Sequence, residues 1–146
     1  MMLKKTLVSV VIPTLNSGRT LARCLESIRN LDRKNENLEI LVVDGGSTDN
    51  TLQIAQSFRA KILTEPKGIR GATYNRGLRE AAGEYVGFVD SDGVVSPSWL
   101  REGLCTLSKD TSMAAVYFKS ELPTDATIFQ KLSLIHISEP TRQAEI

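Results

Sequence analysis

Short apolar runs alternate along this chain with apolar residues at helical spacing. Leu7-Val8-Ser9-Val10-Val11-Ile12 is almost unbroken, as expected of a strand covered on both faces, and Pro13 predicts its end. Leu21, Cys24, Leu25 and Ile28 then recur at i, i+3, i+4 and i+7, one face of a helix, behind Asn16 and Ser17 as helix-start residues. The polar stretch Asp32 to Asn37 leads to a second buried strand, Glu39-Ile40-Leu41-Val42-Val43, which ends at Asp44-Gly45-Gly46. Ser47 is the predicted N-cap of the next helix, with Asp49 in its first turn and Leu52, Ile54, Ala55 and Phe58 along it. Lys61-Ile62-Leu63 predicts a short strand, and Gly68 to Gly71 a glycine-punctuated loop opening a helix from about Ala72 to Ala82. After Glu84, read as a turn residue, Tyr85 to Val89 is too apolar for a water-facing strand and predicts a central one. Ser96 as N-cap and Pro97 at the first helical position open a last helix, with Trp99, Leu100, Leu104 and Leu107 on its buried side. Met113 to Phe118 predicts a fifth strand.

Strands alternating with helices in this way predict an α/β fold: an open, mostly parallel sheet with helices on both faces. Such sheets bind ligands outside the carboxyl ends of their strands, where the strand order reverses. Thr14, Asp44 and Asp90 each fall just past a strand's carboxyl end, so three distant segments deliver polar groups to one edge. Asp90 and Asp92 stand at i and i+2, which in an extended chain point the same way. Two close carboxylates repel unless a cation neutralises them, and hard oxygen ligands of this kind suit Mg²⁺ or Mn²⁺ shared with a phosphate. Taken alone, Asp90-Ser91-Asp92-Gly93 is equally well read as a solvated turn; the convergence of the three strand ends favours a site.

Composition narrows the function. The 146 residues suit one domain, and a net charge of +1 with interspersed signs leaves no footprint for nucleic acid or an anionic membrane. The apolar run after Lys4 and Lys5 is too short for a signal-peptide core and far too short to span a bilayer, so a cytoplasmic location is the expectation. Cys24 and Cys105, with no C-x-x-C, are expected to be buried free thiols. The loop Pro13-Thr14-Leu15-Asn16-Ser17-Gly18 lacks the G-x-G-x-x-G of a dinucleotide fold, a Walker P-loop is absent, and no adjacent carboxylates follow the first strand as a receiver fold requires. Leu132 to Arg142 resembles an in-frame translation of a sequencing adapter, so residues 132–146 are expected to be a non-native tail. The only histidine, His136, lies in that tail, which leaves the native part without His-based triads or His-ligated zinc.

Three ordered motifs, Val8 to Asn16, Val42 to Asp49 and Gly83 to Asp92, together resemble the family 2 glycosyltransferases of GT-A fold, over about residues 6 to 118. That resemblance implies a Rossmann-like nucleotide-diphospho-sugar fold, truncated here: residues 1–131 as an incomplete donor-binding domain, without the acceptor half. It implies inverting transfer of a sugar from a nucleoside diphosphate, UDP favoured, to a glycan, lipid or other hydroxyl acceptor, assisted by Mn²⁺ or Mg²⁺. Pro13 and Thr14 would line the base and ribose pocket, with Asn16 and Gly46 in the same nucleotide-binding motifs. Asp44 would accept a hydrogen bond from the base, Asp90 would face ribose and metal, and Asp92 would ligate the metal. Arg70 would sit near the diphosphate, with Lys67 and Arg76 as flanking cations, while Trp99 is read as a core anchor. Leu15 replaces an aromatic residue that many members stack on the base, and Gly45 replaces a second carboxylate. The family's catalytic base lies in the second half of the domain, beyond the fifth strand. None is named here, although Glu121 and Asp125 are near in sequence. Two alternatives stay open: a nucleotide-binding fragment or relative without turnover, and a GT-A-like sugar-phosphate nucleotidyltransferase. Membrane association of the full-length protein is also open.

Overall fold

In the computed structural model, which describes residues 5–65, 70–109 and 115–116, strands and helices alternate in the expected order. These are β1 (Thr6–Thr14), α1 (Leu21–Arg29), β2 (Glu36–Asp44), α2 (Thr51–Ser57), β3 (Lys61–Thr64), α3 (Arg70–Glu80), β4 (Tyr85–Phe88) and α4 (Trp99–Lys109). The four strands form one sheet in the order β3-β2-β1-β4, and every pairing is parallel. The chain steps outward from β1 to β2 and β3, then returns to the other side of β1 for β4. The strand order therefore reverses between β1 and β4, which is where an open parallel sheet offers a crevice.

The alternation of β1 sorts its side chains into two layers. Val8, Val10 and Ile12 point to the face covered by Leu21, Cys24, Leu25 and Ile28 of α1, Ala55 of α2 and Leu100 of α4. Val11 points to the opposite face, with Leu41, Val43 and Leu63. There α3 comes so close that a Cβ on Gly77 would stand 2.3 Å from Val11 Cγ1, so only glycine fits. The indole of Trp99 lies over Gly87 of β4, as a core anchor should.

Several local expectations are corrected. β1 does not stop at Pro13, which pairs opposite Val43. The carbonyl of Val11 accepts from Val89 N on the β4 side (3.1 Å). Pro13, two residues on, faces the same way past β4's last residue, so its missing N–H leaves no ladder bond unmade. β2 starts at Glu36, because Glu36 and Asn37 pair with Thr6 and Leu7 despite their polarity. Arg70 and Gly71, expected in the loop, already belong to α3. β4 was expected to be central and covered, but among the described residues it pairs only with β1, and Tyr85 and Phe88 are 39% and 42% exposed. Both cysteines are free, yet Cys105 is exposed; it sits five residues after Leu100, roughly 140° around α4 from its buried side.

The chain divides after Ala114, and all eight elements belong to the first unit. Of the expected fifth strand, residues 113–118, only 115–116 are described, and they carry no regular secondary structure. Lys67, Gly68, Glu121, Asp125 and the tail 132–146 with His136 lie outside the described residues. No helix among the described residues is long and apolar enough to cross a membrane.

Candidate functional site

Thr14 and Asp44 are the last, directly paired residues of β1 and β2. Both side chains are buried, at 4% and 2% exposure, and Thr14 Oγ1 donates to Asp44 Oδ1 (3.2 Å). Asp44 Oδ1 also accepts from Ser47 Oγ (2.5 Å), while Oδ2 accepts from the backbone N–H groups of Gly46 (3.0 Å) and Ser47 (2.9 Å). The carboxylate thus winds the chain after β2 into a tight loop around itself, and Gly46, at φ +104°, supplies the left-handed turn that this needs. Ser47 is consequently not the N-cap of α2. A nearby carboxylate is a stronger acceptor for its hydroxyl than the geometry of a helix start is a use for it.

The loops after β1 and β2 are stitched together. Asn16 N donates to Ser47 Oγ (2.8 Å), and Thr48 N donates to Asn16 Oδ1 (2.9 Å). Asn16 reaches back from a left-handed backbone, φ +49°, which its short polar side chain tolerates. Ser17 N donates to Thr51 Oγ1 (2.8 Å) and Gly18 N to Asp49 Oδ2 (2.9 Å). Asp49, just ahead of α2, also accepts from the N–H and hydroxyl of Thr51; that hydroxyl bond, with help from Gly18 N, holds its carboxyl below the ordinary value. Ser17 opens α1 with its carbonyl, which accepts from Leu21 N (2.9 Å), and so its hydroxyl is left for another partner.

That partner lies across the crevice. Ser17 Oγ and Ser91 Oγ are 2.8 Å apart, which ties the start of α1 to the segment after β4. There the chain is a turn and not an extended strand: Gly93 N donates to the carbonyl of Asp90 (2.8 Å). The i, i+2 argument for Asp90 and Asp92 therefore does not apply, yet both carboxylates act on the same neighbours. The thiol of Cys24, which points at the Asp90 carbonyl (3.5 Å), is pushed up to about 12 by burial, then by the charges of Asp92 and Asp90. The Tyr74 hydroxyl is likewise raised to about 12, by burial first, then by its hydrogen bond to Asp90 and that residue's charge, with Asp92 adding and Arg70 opposing.

Tyr74 donates to Asp90 Oδ1 at 2.7 Å. Among the described residues Asp90 Oδ2 has no donor, and the exposed Asp92 carboxylate has neither hydrogen bond nor ion pair. Two acceptor groups are thus open at the mouth of the crevice. No group of three or more potential ligands is assembled among the described residues. A divalent cation on this pair would complete its shell from outside the protein, as Mg²⁺ does with phosphates and water.

Residues 9–140 match the family model for Glycosyl transferase family 2. The chain belongs to that family. Glycosyltransferase GlyG of Streptococcus pneumoniae is 40% identical over 100 residues, 64% of this chain and 33% of that protein. A crystal structure of S. aureus TarS in complex with UDP-GlcNAc superposes with a TM-score of 0.64 at 33% identity, covering 70% of this chain and 31% of that one. Glucosyl-3-phosphoglycerate synthase from Mycobacterium tuberculosis, solved with Mn²⁺, UDP and glucosyl-3-phosphoglycerate, gives 0.59 at 26% identity, covering 70% and 39%. The fold is that of GT-A glycosyltransferases, and the chain spans between 12% and 34% of the length of the curated relatives it matches.

Within this family 2 chain the residues singled out from sequence separate into groups. Thr14, Asn16, Asp44 and Gly46 form one bonded assembly, with Pro13 half-buried beside it. Asp90 and Asp92 stand across the crevice, joined to it through Ser17 and Ser91. Arg70 is exposed at the first described position of α3, close enough to act on Tyr74. Arg76 is half-buried on α3 and pairs with Glu80 (3.4 Å), while its Nε is buried without a partner among the described residues. Sequence reasoning missed Tyr74, Ser17 and Ser91 as partners of the site; Ser91 between two aspartates was the only available signal.

Proposed function

We propose that this chain is the donor-binding portion of a glycosyltransferase that moves a sugar from a nucleoside diphosphate, UDP favoured, to an acceptor hydroxyl with inversion. The observation that carries the proposal is the convergence of the β1, β2 and β4 ends at the point of strand-order reversal, bonded into one assembly with two open carboxylates at its rim. The relatives crystallised with UDP and UDP-GlcNAc support the choice of donor. Pro13, Thr14, Asn16 and Gly46 bound the base and ribose region, and exposed Leu15 lies between them as an apolar surface in place of an aromatic ring. Asp44 can take a bond from the base only by releasing one of its present donors, since its four lone-pair positions are filled.

Asp92, with Asp90 beside it, would hold Mn²⁺ or Mg²⁺, and the open acceptors described above fit that role. Such a cation supplies neutralisation of the charge that develops on the leaving diphosphate. Arg70 at the start of α3 adds positive charge on the same side. The base that deprotonates the acceptor is assigned to no residue. A second reading, a nucleotide-binding piece without turnover, is favoured by the chain's spanning at most about a third of the relatives it matches. Calorimetric titration of UDP into the 146-residue chain, with and without Mn²⁺, tests the donor site. UDP should bind more tightly with Mn²⁺, and Asp92→Ala should bring the affinity down to its metal-free value. Unchanged metal dependence in Asp92→Ala would refute the assigned role.

A further inference from the structure

We infer that Tyr74 is a positioning residue for the acidic pair: its hydroxyl fixes the rotation of the Asp90 carboxylate and so presents the remaining oxygen to a divalent cation. The inference rests on the metal-assisted reading above.

Three observations lead to it. Tyr74 Oη donates to Asp90 Oδ1 at 2.7 Å, and no other donor reaches that carboxylate among the described residues. The phenol ring is itself held, with its centroid 5.3 Å from that of Phe88 at 56°, a tilted aromatic pair within the preferred range. Phe88 ends β4, two residues before Asp90, so the strand that delivers the carboxylate also anchors the ring that aims it.

The chemistry explains why a phenol suits the position. A carboxylate on a turn spins freely unless one oxygen is engaged, and a spinning ligand loses affinity to entropy. A Lys or Arg donor would stop the rotation but would neutralise the charge that attracts the cation. A tyrosine hydroxyl, protonated at neutral pH, donates one hydrogen bond and leaves the pair's full negative charge in place. This is how outer partners tune ligating carboxylates, and their removal typically costs 10–100-fold in metal affinity.

The test is a thermodynamic cycle on the full chain, with Tyr74→Phe, Asp90→Asn and the double variant. Tyr74→Phe keeps the ring against Phe88 and removes only the oxygen. Mn²⁺ affinity in the presence of UDP is measured by titration, and UDP affinity without metal is measured alongside. Tyr74→Phe should weaken Mn²⁺ binding about tenfold, leave metal-free UDP binding within twofold, and have no further effect once Asp90 is Asn. Wild-type Mn²⁺ affinity retained in Tyr74→Phe would overturn the inference alone. Equal losses with and without metal would make the contact merely structural and overturn it too. A wild-type chain that binds UDP without regard to Mn²⁺ would overturn the underlying reading and this inference with it.

Discussion

Asp44 is the residue on which two loops close, and its value is set by what it accepts. Gly46 N, Ser47 N and Ser47 Oγ depend on it, Thr14 Oγ1 shares its proton between Asp44 and the Val43 carbonyl, and Asp44 and Thr14 are buried. Asp44→Ala leaves several of these donors without a partner, and the expected loss is about 2–3 kcal/mol in chemical denaturation. Asp44→Asn should lose a comparable amount, because its amide nitrogen would face donors. Stability within a few tenths of a kcal/mol of wild type in both variants would contradict this role. At this scale the sequence was half legible. The acids ending strands stood out because charge is rare at the end of an apolar run. The partners of Asn16, Ser17, Ser47 and Tyr74 did not, since each side chain bonds according to what the fold brings near it. Ser47 illustrates the difficulty: local rules make it a cap, and a buried carboxylate three residues back claims it instead.

Among the elements, the apolar runs and helical stripes fixed which segments became strands and helices, while their ends followed pairing partners. Pro13 reads as a stop from local chemistry, and only the short reach of β4 makes it harmless inside β1. Ser9 is the other polar-looking flaw in that strand. It is fully buried and donates to Glu39 Oε2 (2.6 Å), while Gly83 N donates to Ser9 Oγ (2.8 Å) and Ala82 N to Glu39 (3.0 Å). The network fastens the turn before β4 to β1 and β2. Burial raises the Glu39 carboxyl, but the bonds from Ser9 and Ala82 and the charge of Lys61 outweigh it and hold the group below its ordinary value of 4.5. A depressed carboxyl in the folded state means that the unfolded chain binds its proton more tightly. The stabilisation is therefore complete above pH 4.5 and fades as pH falls through the lower folded value. Glu39→Gln should flatten that part of the stability–pH curve measured by thermal unfolding. A curve parallel to wild type down to acid pH would show that the network carries no such dependence.

For the whole molecule, the α/β alternation and the helices on both faces were legible, because periodicity survives in any context. For β4 the described residues show its pairing with β1, and most of the segment expected to form a fifth strand, 113–118, lies outside them. The crevice between β1 and β4 follows from that topology, and it joins the Asp44 assembly to the Asp90–Gly93 turn. The central claim is that a metal and a nucleoside diphosphate meet there. Its most direct test is paramagnetic broadening of backbone amide signals by Mn²⁺ in the presence of UDP. Signals from Asp90 to Gly93 and from Tyr74 should vanish first, those of Thr14 to Gly18 and Asp44 to Ser47 next, while those around Asp32 to Glu36, at the amino ends of β1 and β2, persist. Broadening centred on Asp32 to Glu36, or none anywhere with UDP bound, would contradict the account.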